Sequence, residues 1–290
     1  MAKVLLISTY EMGRQPFGLA SPAAWLRASG HTVTCADLAV GIFPRGAAVA
    51  ADIIAFYLPM HTATRMTLPL LAQVQALNGR AKLAAYGLDA PINDALLRER
   101  GIGFVLGAEF EADLLALADG LEPVVGGGLV KLQFKVPDRV GLPGLGRYAK
   151  LHVNGKAHKV GYTEATRGCK HMCRHCPVVP VYQGQFRVVQ PEVVLEDIRR
   201  QVAAGAEHIT FGDPDFFNGS SHARRIVEQM HHEFPALTYD ATIKVEHLLQ
   251  HQQLMPVLAE TGCLFVTLQW KAWTIMCWNR LRSITRGPIF

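Results

Sequence analysis

The sequence predicts an α/β protein with an N-terminal doubly wound, Rossmann-like parallel sheet, followed by a second set of alternating strands and helices. Three observations predict this fold class. The chain opens with a continuous apolar run, Lys3–Thr9, which is typical of a strand buried on both faces. Similar runs alternate with helical segments as far as residue 121. A second alternation begins at residue 158.

The N-terminal domain, residues 1–121, is predicted to contain five strands. After the first run these are Thr32–Ala36, Ile53–Leu58, Leu83–Tyr86 and Phe104–Leu106. The first helix is expected to begin at Ser21, because serine caps a helix well and Pro22 suits the first helical position. Three more helices are expected near residues 65–77, 93–100 and 112–119. In such a sheet, ligands bind beyond the carboxyl ends of the strands.

The rest of the chain divides into a linker, a second domain and a tail. Glycine and proline interrupt every period between residues 122 and 157, so this segment is predicted to be a linker. Residues 158–267 form the second domain. Its predicted strands are Lys159–Ala165, His208–Phe211, Tyr239–Glu246 and Cys263–Thr267, and its helices are 190–202, 221–233 and 254–260. The tail, residues 268–290, holds three of the four tryptophans and has no clear period.

Composition excludes several classes of protein. Of the 290 residues, 50% are hydrophobic and 18% are charged, which is ordinary for a packed, soluble protein. No apolar run reaches the ~20 residues that a membrane-spanning helix needs, and no secretory signal opens the chain. A cytoplasmic location is therefore expected. Four of the positive charges that make up the net charge of +5 lie in the tail. Neither a nucleic-acid nor a membrane partner is therefore indicated.

A cysteine array follows the first strand of the second domain. Cys169, Cys173 and Cys176 have the spacing C-x3-C-x2-C, and Gly168 gives the backbone the freedom to loop. Three thiolates so close in sequence can converge on one metal centre. They leave a four-iron cluster one protein ligand short, and an iron without a protein ligand can bind a small molecule.

The array resembles the cluster loop of the radical S-adenosylmethionine (SAM) superfamily. The wider run from Arg167 to Val189 is similar to that of the CUAEP/CCAEP-tail radical SAM (seleno)protein family, and the similarity extends from Lys3 to about Thr267. The resemblance implies an incomplete radical SAM (βα) partial barrel in which the three cysteines hold a 4Fe-4S cluster. It also implies an enzyme that cleaves SAM reductively to a 5′-deoxyadenosyl radical, with an external electron donor and a small-molecule or peptide substrate.

The resemblance also assigns residues to the SAM site. His175 stands where the family usually has an aromatic residue before the third cysteine. Gly212 and Asp213 occupy the place of a Gly-Gly-Glu-like segment, in which the backbone and an acidic side chain receive the ammonium of SAM. Lys244 and Glu246 follow at the end of the next strand, near SAM in the family. An acidic helix cap at Asp213 and a solvated Lys244–Glu246 pair are the structural alternatives.

The first domain is similar to the cobalamin-binding domains attached to radical SAM enzymes. Its loop Gly107-Ala-Glu-Phe-Glu111 resembles the loop after the fifth strand of those domains, which makes Gly107 and Glu109 candidate cobalamin contacts. The loop after the first strand lacks the Asp-x-His-x-x-Gly pattern and offers no lower axial histidine. Since fold alone does not carry function, cobalamin binding stays open at this stage.

Two other functions are compatible with the sequence. One is a non-catalytic cobalamin- or metal-binding module, and the other is a protein stabilised by zinc on the three cysteines with His171 or His175. The tail departs from the family after Thr267, and a shift of reading frame restores a family-like continuation. We therefore expect residues from about Leu268 to be an out-of-frame, truncated end, which leaves an unpaired strand edge in the barrel.

Overall fold

Two sheets of mainly parallel strands follow one another along the chain. The computed structural model describes residues 1–107, 109–123, 132–174 and 176–269. No helix in these ranges is long and apolar enough to cross a membrane. The expectation for His175, and that for the out-of-frame tail from residue 270 onward, concern residues outside the described ranges.

The first sheet is built from the five predicted strands. They are β1 (Lys3–Ser8), β2 (Thr32–Asp37), β3 (Ile53–Tyr57), β4 (Lys82–Tyr86) and β5 (Phe104–Leu106). All neighbours are parallel, and the order is β2-β1-β3-β4-β5. The central strands β1 and β3 are almost wholly apolar, because helices cover both of their faces.

Helices on both faces make this sheet doubly wound. In the described residues they are α1 (Phe17–Ala28), α2 (Arg45–Ala50), α3 (His61–Leu77), α4 (Asp94–Glu99) and α5 (Phe110–Ala118). One apolar core joins the sheet to α2, α3 and α4, and a second joins it to α1 and α5. The short helix α2 was not predicted.

The start of α1 differs from the prediction. The helix begins at Phe17, and Pro22 lies inside it instead of at its first position. Proline has no N–H to donate to the carbonyl of Gly18, four residues earlier, and the hydroxyl of Tyr86 donates to that carbonyl at 2.8 Å. Ser21 does not cap the helix, because its hydroxyl faces inward. A tertiary contact therefore accommodates proline within α1.

The second sheet forms the curled half-barrel of the fold. The strands of this part of the chain are β6 (Lys150–Val153), β7 (Lys156–Thr163), β8 (Thr166–Gly168), β9 (Phe186–Val188), β10 (His208–Phe211), β11 (Thr238–Lys244) and β12 (Cys263–Gln269). The helices are α6 (Val178–Tyr182), α7 (Pro191–Ala203), α8 (Ser220–Glu233), α9 (Val245–Gln250) and α10 (Met255–Glu260). The sheet order is β12-β11-β10-β7-β6, with β6 antiparallel to β7, while β8 and β9 form a separate antiparallel pair. This architecture confirms the predicted fold class.

Several element boundaries in the second sheet differ from the prediction. The strand β7 covers Lys156–Thr163 instead of Lys159–Ala165. The strand β6 lies inside the predicted linker, because Asn154 and Gly155 adopt φ values of 50° and 77° and close a hairpin with β7. The strand β11 stops at Lys244, so Glu246 belongs to α9. The strand β12 continues to Gln269, beyond the predicted start of the tail.

Candidate functional site

The cysteine loop is held between β8 and β9. Gly168, the last residue of β8, has a φ of +75°, which L side chains rarely adopt. A Cβ atom at this position would collide with the ring of Tyr182 and lie 2.6 Å from the carbonyl of Gln185. Tyr182 is buried, and Cys169 and Cys176 pack against its cluster. Glycine is therefore required where the chain enters the loop.

The three cysteines of the loop are partly exposed and form no disulfide. The N–H of Cys176 donates to the carbonyl of Cys173 at 3.0 Å, which closes a tight turn. The thiol of Cys169 donates to Oδ1 of Asn218 at 3.6 Å, and burial raises the pKa of this thiol. Three thiols on one glycine-hinged loop suit a 4Fe-4S cluster that keeps one iron open.

Asp213 binds the residues that precede the cysteine loop. Its carboxylate accepts hydrogen bonds from the N–H of Ala165 at 3.0 Å, the N–H of Thr166 at 2.5 Å and the hydroxyl of Thr166 at 2.6 Å. Burial raises its pKa to about 6, against the opposing effect of these bonds. The capping role belongs to Asp215, which accepts from the N–H of Phe217 at 3.1 Å. Asp213 thus holds the segment that leads into the loop.

The other candidate SAM residues also have partners within the fold. The N–H of Gly212 donates to the carbonyl of Thr163 at 2.8 Å, and a Cβ atom on Gly212 would collide with the hydroxyl of Tyr162. Glu246 pairs with Nζ of Lys244 at 2.5 Å, and this hydrogen bond lowers the pKa of Glu246. The Glu246 side chain is 55% exposed, whereas that of Lys244 is 20% exposed.

A polar cluster that the sequence did not predict lies beside the cysteine loop. Nε2 of His171 is 3.0 Å from Nε2 of His247, and Nδ1 of His247 is 2.7 Å from Oδ2 of Asp215. Nζ of Lys244 donates to the other ring nitrogen of His171 at 3.0 Å. Both ring nitrogens of His171 therefore have contacts outside the cysteine set, and these contacts give no support to its role as a zinc ligand with the cysteines. The members of this cluster come from the cysteine loop, the segment after β10, the end of β11 and α9, so no local spacing reveals them.

Arg167 joins the two domains immediately before the cysteine loop. Its guanidinium pairs with Glu111 of the first domain at 2.6 Å and with Glu164 at 2.9 Å, and it donates to the hydroxyl of Ser21 at 3.1 Å. It also lies over the rings of Phe17, Phe110 and Phe134, at 4.7 to 5.6 Å from their centroids. Arg167 is buried, so it fixes the cysteine loop against the carboxyl edge of the first sheet.

The candidate cobalamin residues lie at that same edge. Gly107 follows β5, and a Cβ atom there would meet Pro91 only at the ordinary distance of 3.8 Å. Both carboxyl oxygens of Glu109 are buried and have no hydrogen-bond partner among the described residues. Burial raises the pKa of Glu109 to about 7, while Arg167 lowers it. An unpartnered buried carboxyl group fits a ligand with amide or hydroxyl groups at this edge.

Comparison with known proteins matches the fold of cobalamin-dependent radical SAM enzymes. No protein-family model and no curated protein matches the sequence. Among solved structures, the chain is similar to TsrM, a radical SAM methyltransferase from Kitasatospora setae, with cobalamin and a 4Fe-4S cluster bound. The TM-score is 0.73 at 15% identity, over 99% of this chain and 67% of TsrM.

Two further structures show the same likeness. TsrM with tryptophan substrate and the SAM analog aza-SAM gives a TM-score of 0.76 at 14% identity, over 98% of this chain and 66% of that one. The apo cobalamin-dependent SAM radical enzyme OxsB gives 0.66 at 13% identity, over 97% of this chain. The chain spans about two thirds of TsrM and 45% of OxsB. At these identities the likeness shows a shared fold.

Proposed function

We propose that this chain is a radical SAM enzyme in which Cys169, Cys173 and Cys176 hold a 4Fe-4S cluster. The observation that supports it best is the placement of three thiols on one glycine-hinged loop, in a fold shared with radical SAM enzymes. Held by these cysteines, a 4Fe-4S cluster would supply the electron for reductive cleavage of SAM to methionine and a 5′-deoxyadenosyl radical. The substrate class is a small molecule or peptide, and the electron donor is external.

The residues of this chain prepare the site for that chemistry. Gly168 and Tyr182 set the path of the loop, and Asp213 fixes the residues before it through three hydrogen bonds. For SAM itself we infer contacts from Gly212, Glu246 and His175, with Asp213 positioning the segment. A rigid loop would keep the three sulfurs in the orientation that a cluster requires.

Cobalamin binding is a second part of the proposal. Gly107 and Glu109 lie at the carboxyl edge of the first sheet, and Glu109 presents a carboxyl group with no partner among the described residues. TsrM contains cobalamin and is a methyltransferase, which favours methyl transfer as the second candidate function. In that case Glu109, protonated near neutral pH, would donate a hydrogen bond to a cobalamin amide or hydroxyl group.

The test is anaerobic reconstitution with iron and sulfide, followed by SAM and dithionite as the electron source. We expect 5′-deoxyadenosine and methionine from a version whose reading frame is corrected after Thr267, little of either from the uncorrected chain, and their loss when Cys173→Ala is made in the corrected version. Bound zinc without iron or sulfide would favour the zinc-stabilised protein, and bound cobalamin without SAM cleavage would favour the non-catalytic module. Cleavage that survives Cys173→Ala would contradict the proposed ligands.

A further inference from the structure

Three potential ligands of a metal ion converge beside the cysteine loop but do not include its cysteines. His171 lies between Cys169 and Cys173, Asp215 follows β10, and His247 is in α9. Among the residues that the structure describes, these three alone bring three metal-ligating side chains together with all ligand atoms within 4.8 Å. Two imidazoles and one carboxylate are a donor set typical of transition-metal sites.

The distances agree with a shared ion. Ligand atoms at about 2.1 Å from one ion lie about 3.0 to 3.4 Å from each other in octahedral or tetrahedral geometry. Oδ2 of Asp215 lies 2.7 Å from Nδ1 of His247 and 4.0 Å from Nε2 of His171, whereas the 3.0 Å contact of His171 is with the other ring nitrogen of His247. One ligand atom from each residue lies within 4.8 Å of the others, so side-chain rotations are needed to bring all three to the required range.

Two members of the cluster are buried, and each has a ligand atom without a hydrogen bond. The side chains of Asp215 and His247 are each 1% exposed. Oδ2 of Asp215 and Nδ1 of His247 form an ion pair at 2.7 Å outside hydrogen-bond alignment, and neither atom has a hydrogen-bond partner among the described residues. A buried polar atom left without a partner is costly. A cation placed between these atoms would satisfy both.

Solvent access at His171 and the contacts of Lys244 complete the environment of the cluster. His171 is 20% exposed, which leaves one side of the cluster open to solvent. Lys244 donates to Nδ1 of His171, the ring nitrogen opposite the proposed ion, and also pairs with Glu246. When Nε2 of His171 binds the ion, Nδ1 carries the imidazole proton and no longer accepts from Lys244, whose ammonium then turns to Glu246 alone. The ammonium charge is thereby balanced by a carboxylate outside the ligand set.

We propose that His171, Asp215 and His247 bind one divalent first-row transition-metal ion, such as Zn²⁺ or Fe²⁺. The ion would take Nε2 of His171, one ring nitrogen of His247 and an oxygen of Asp215. Its remaining positions would hold water or an oxygen atom of a substrate. Because His171 lies within the cysteine loop, the ion also pins that loop to the ends of β10 and β11. The site does not depend on the proposed iron–sulfur cluster.

The experiment removes the thiols so that the second site is measured by itself. Metal-free chain with Cys169, Cys173 and Cys176 all changed to Ser is titrated with Zn²⁺ by calorimetry and with Co²⁺ by visible absorption. We expect one ion per chain, a Co²⁺ spectrum without thiolate charge-transfer bands, and a higher Tm when Zn²⁺ is present. His171→Ala and Asp215→Asn, in the same background, should each weaken binding about tenfold or more.

Controls separate ligand loss from misfolding. His232→Ala, an exposed histidine on α8, should bind as tightly as its parent. His171→Ala removes a partly exposed loop residue, so its metal-free Tm should match that of its parent. Absence of saturable binding in the parent, or equal affinity in His171→Ala, would overturn the proposal. Failure of SAM cleavage in the intact chain would leave this result unaffected, so the two proposals fail separately.

Discussion

The two sheets share one architecture and differ in what lies at their carboxyl edges. At the first edge, Tyr57, Tyr86 and Phe110 pack with ring centroids 4.8 to 6.1 Å apart. At the second edge lie three free thiols and the cluster of two histidines and an aspartate. Parallel strands therefore position an edge for chemistry without deciding which chemistry it carries. The side chains at each edge decide that.

The largest expected effect is a loss of stability when the contact that Arg167 makes between the carboxyl edges of the two sheets is broken. Arg167→Met leaves the carboxylates of Glu111 and Glu164 without their buried cation. Breaking a buried ion pair by removing one partner costs about 3–5 kcal/mol. We expect the free energy of unfolding, measured by urea denaturation, to fall by about that amount.

The matched control for this prediction is an exposed ion pair. Arg199 pairs with Glu233 on the surface of the second domain, with its side chain 42% exposed. Arg199→Met should cost at most about 1 kcal/mol. Equal losses in the two variants would show that Arg167 does not anchor the edges together.

The pH dependence of the free energy of unfolding tests the role of Glu11 at the carboxyl edge of the first sheet. Burial, with a smaller contribution from the nearby charge of Glu164, raises the pKa of Glu11 from 4.5 to about 8. The folded chain therefore keeps this proton up to about pH 8, whereas the unfolded chain releases it near pH 4.5. Its stabilising contribution is present below pH 4.5 and is lost as pH rises toward 8, by up to about 1.4 kcal/mol per pH unit.

Substitution of this residue should flatten the pH dependence. Glu11→Gln stays neutral, so its free energy of unfolding should decline less steeply between pH 5 and 8 than that of the unmodified chain. Glu99→Gln, exposed on α4, serves as the control and should keep the original slope. A slope unchanged by Glu11→Gln would mean that Glu11 is ionised in the folded chain.

The smallest expected effect is a shift in the reduction potential of the proposed cluster at the carboxyl edge of the second sheet. Oδ1 of Asn218 accepts from Sγ of Cys169, but a thiolate bound to iron has no proton to donate. The amide would then turn its N–H from the carbonyl of Gly168 toward the sulfur. A hydrogen bond to a ligating sulfur raises the reduction potential. At about 0.5–1.5 kcal/mol for one bond, Asn218→Leu should lower the potential by roughly 20–60 mV in a redox titration followed by EPR.

A charge at the same position should enlarge this shift. Asn218→Asp places a carboxylate near the sulfur and should lower the potential further than Asn218→Leu. Iron content should be the same in both variants, since neither removes a ligand. Potentials equal to that of the unmodified protein would show that Asn218 supports only the fold.

The strands were predictable because apolar runs are local signals. The ten residues around each run suffice to identify β1, β3 and β10. The start of α1 was not predictable, because Pro22 is accommodated by a hydroxyl from a distant strand. The strand β6 was missed because its hairpin turn, Asn154-Gly155, was not recognised within a segment rich in glycine and proline.

Some residues of the candidate site were likewise predictable from the sequence, and others were not. Cys169, Cys173 and Cys176 were predictable because their spacing is short and glycine precedes them. The positioning role of Asp213 depends on which N–H groups its carboxylate faces, and sequence does not show this. Asp215 and His247 approach each other only because β10 and β11 are neighbours in the sheet.

The ligand assignment is tested most directly by counting iron and sulfide per chain after anaerobic reconstitution. The unmodified protein and Cys35→Ala, which lacks a buried thiol of the first domain, should each hold about four of each. Cys173→Ala should lose most of both. Equal iron and sulfide in Cys173→Ala and Cys35→Ala would contradict the assignment of these cysteines as cluster ligands.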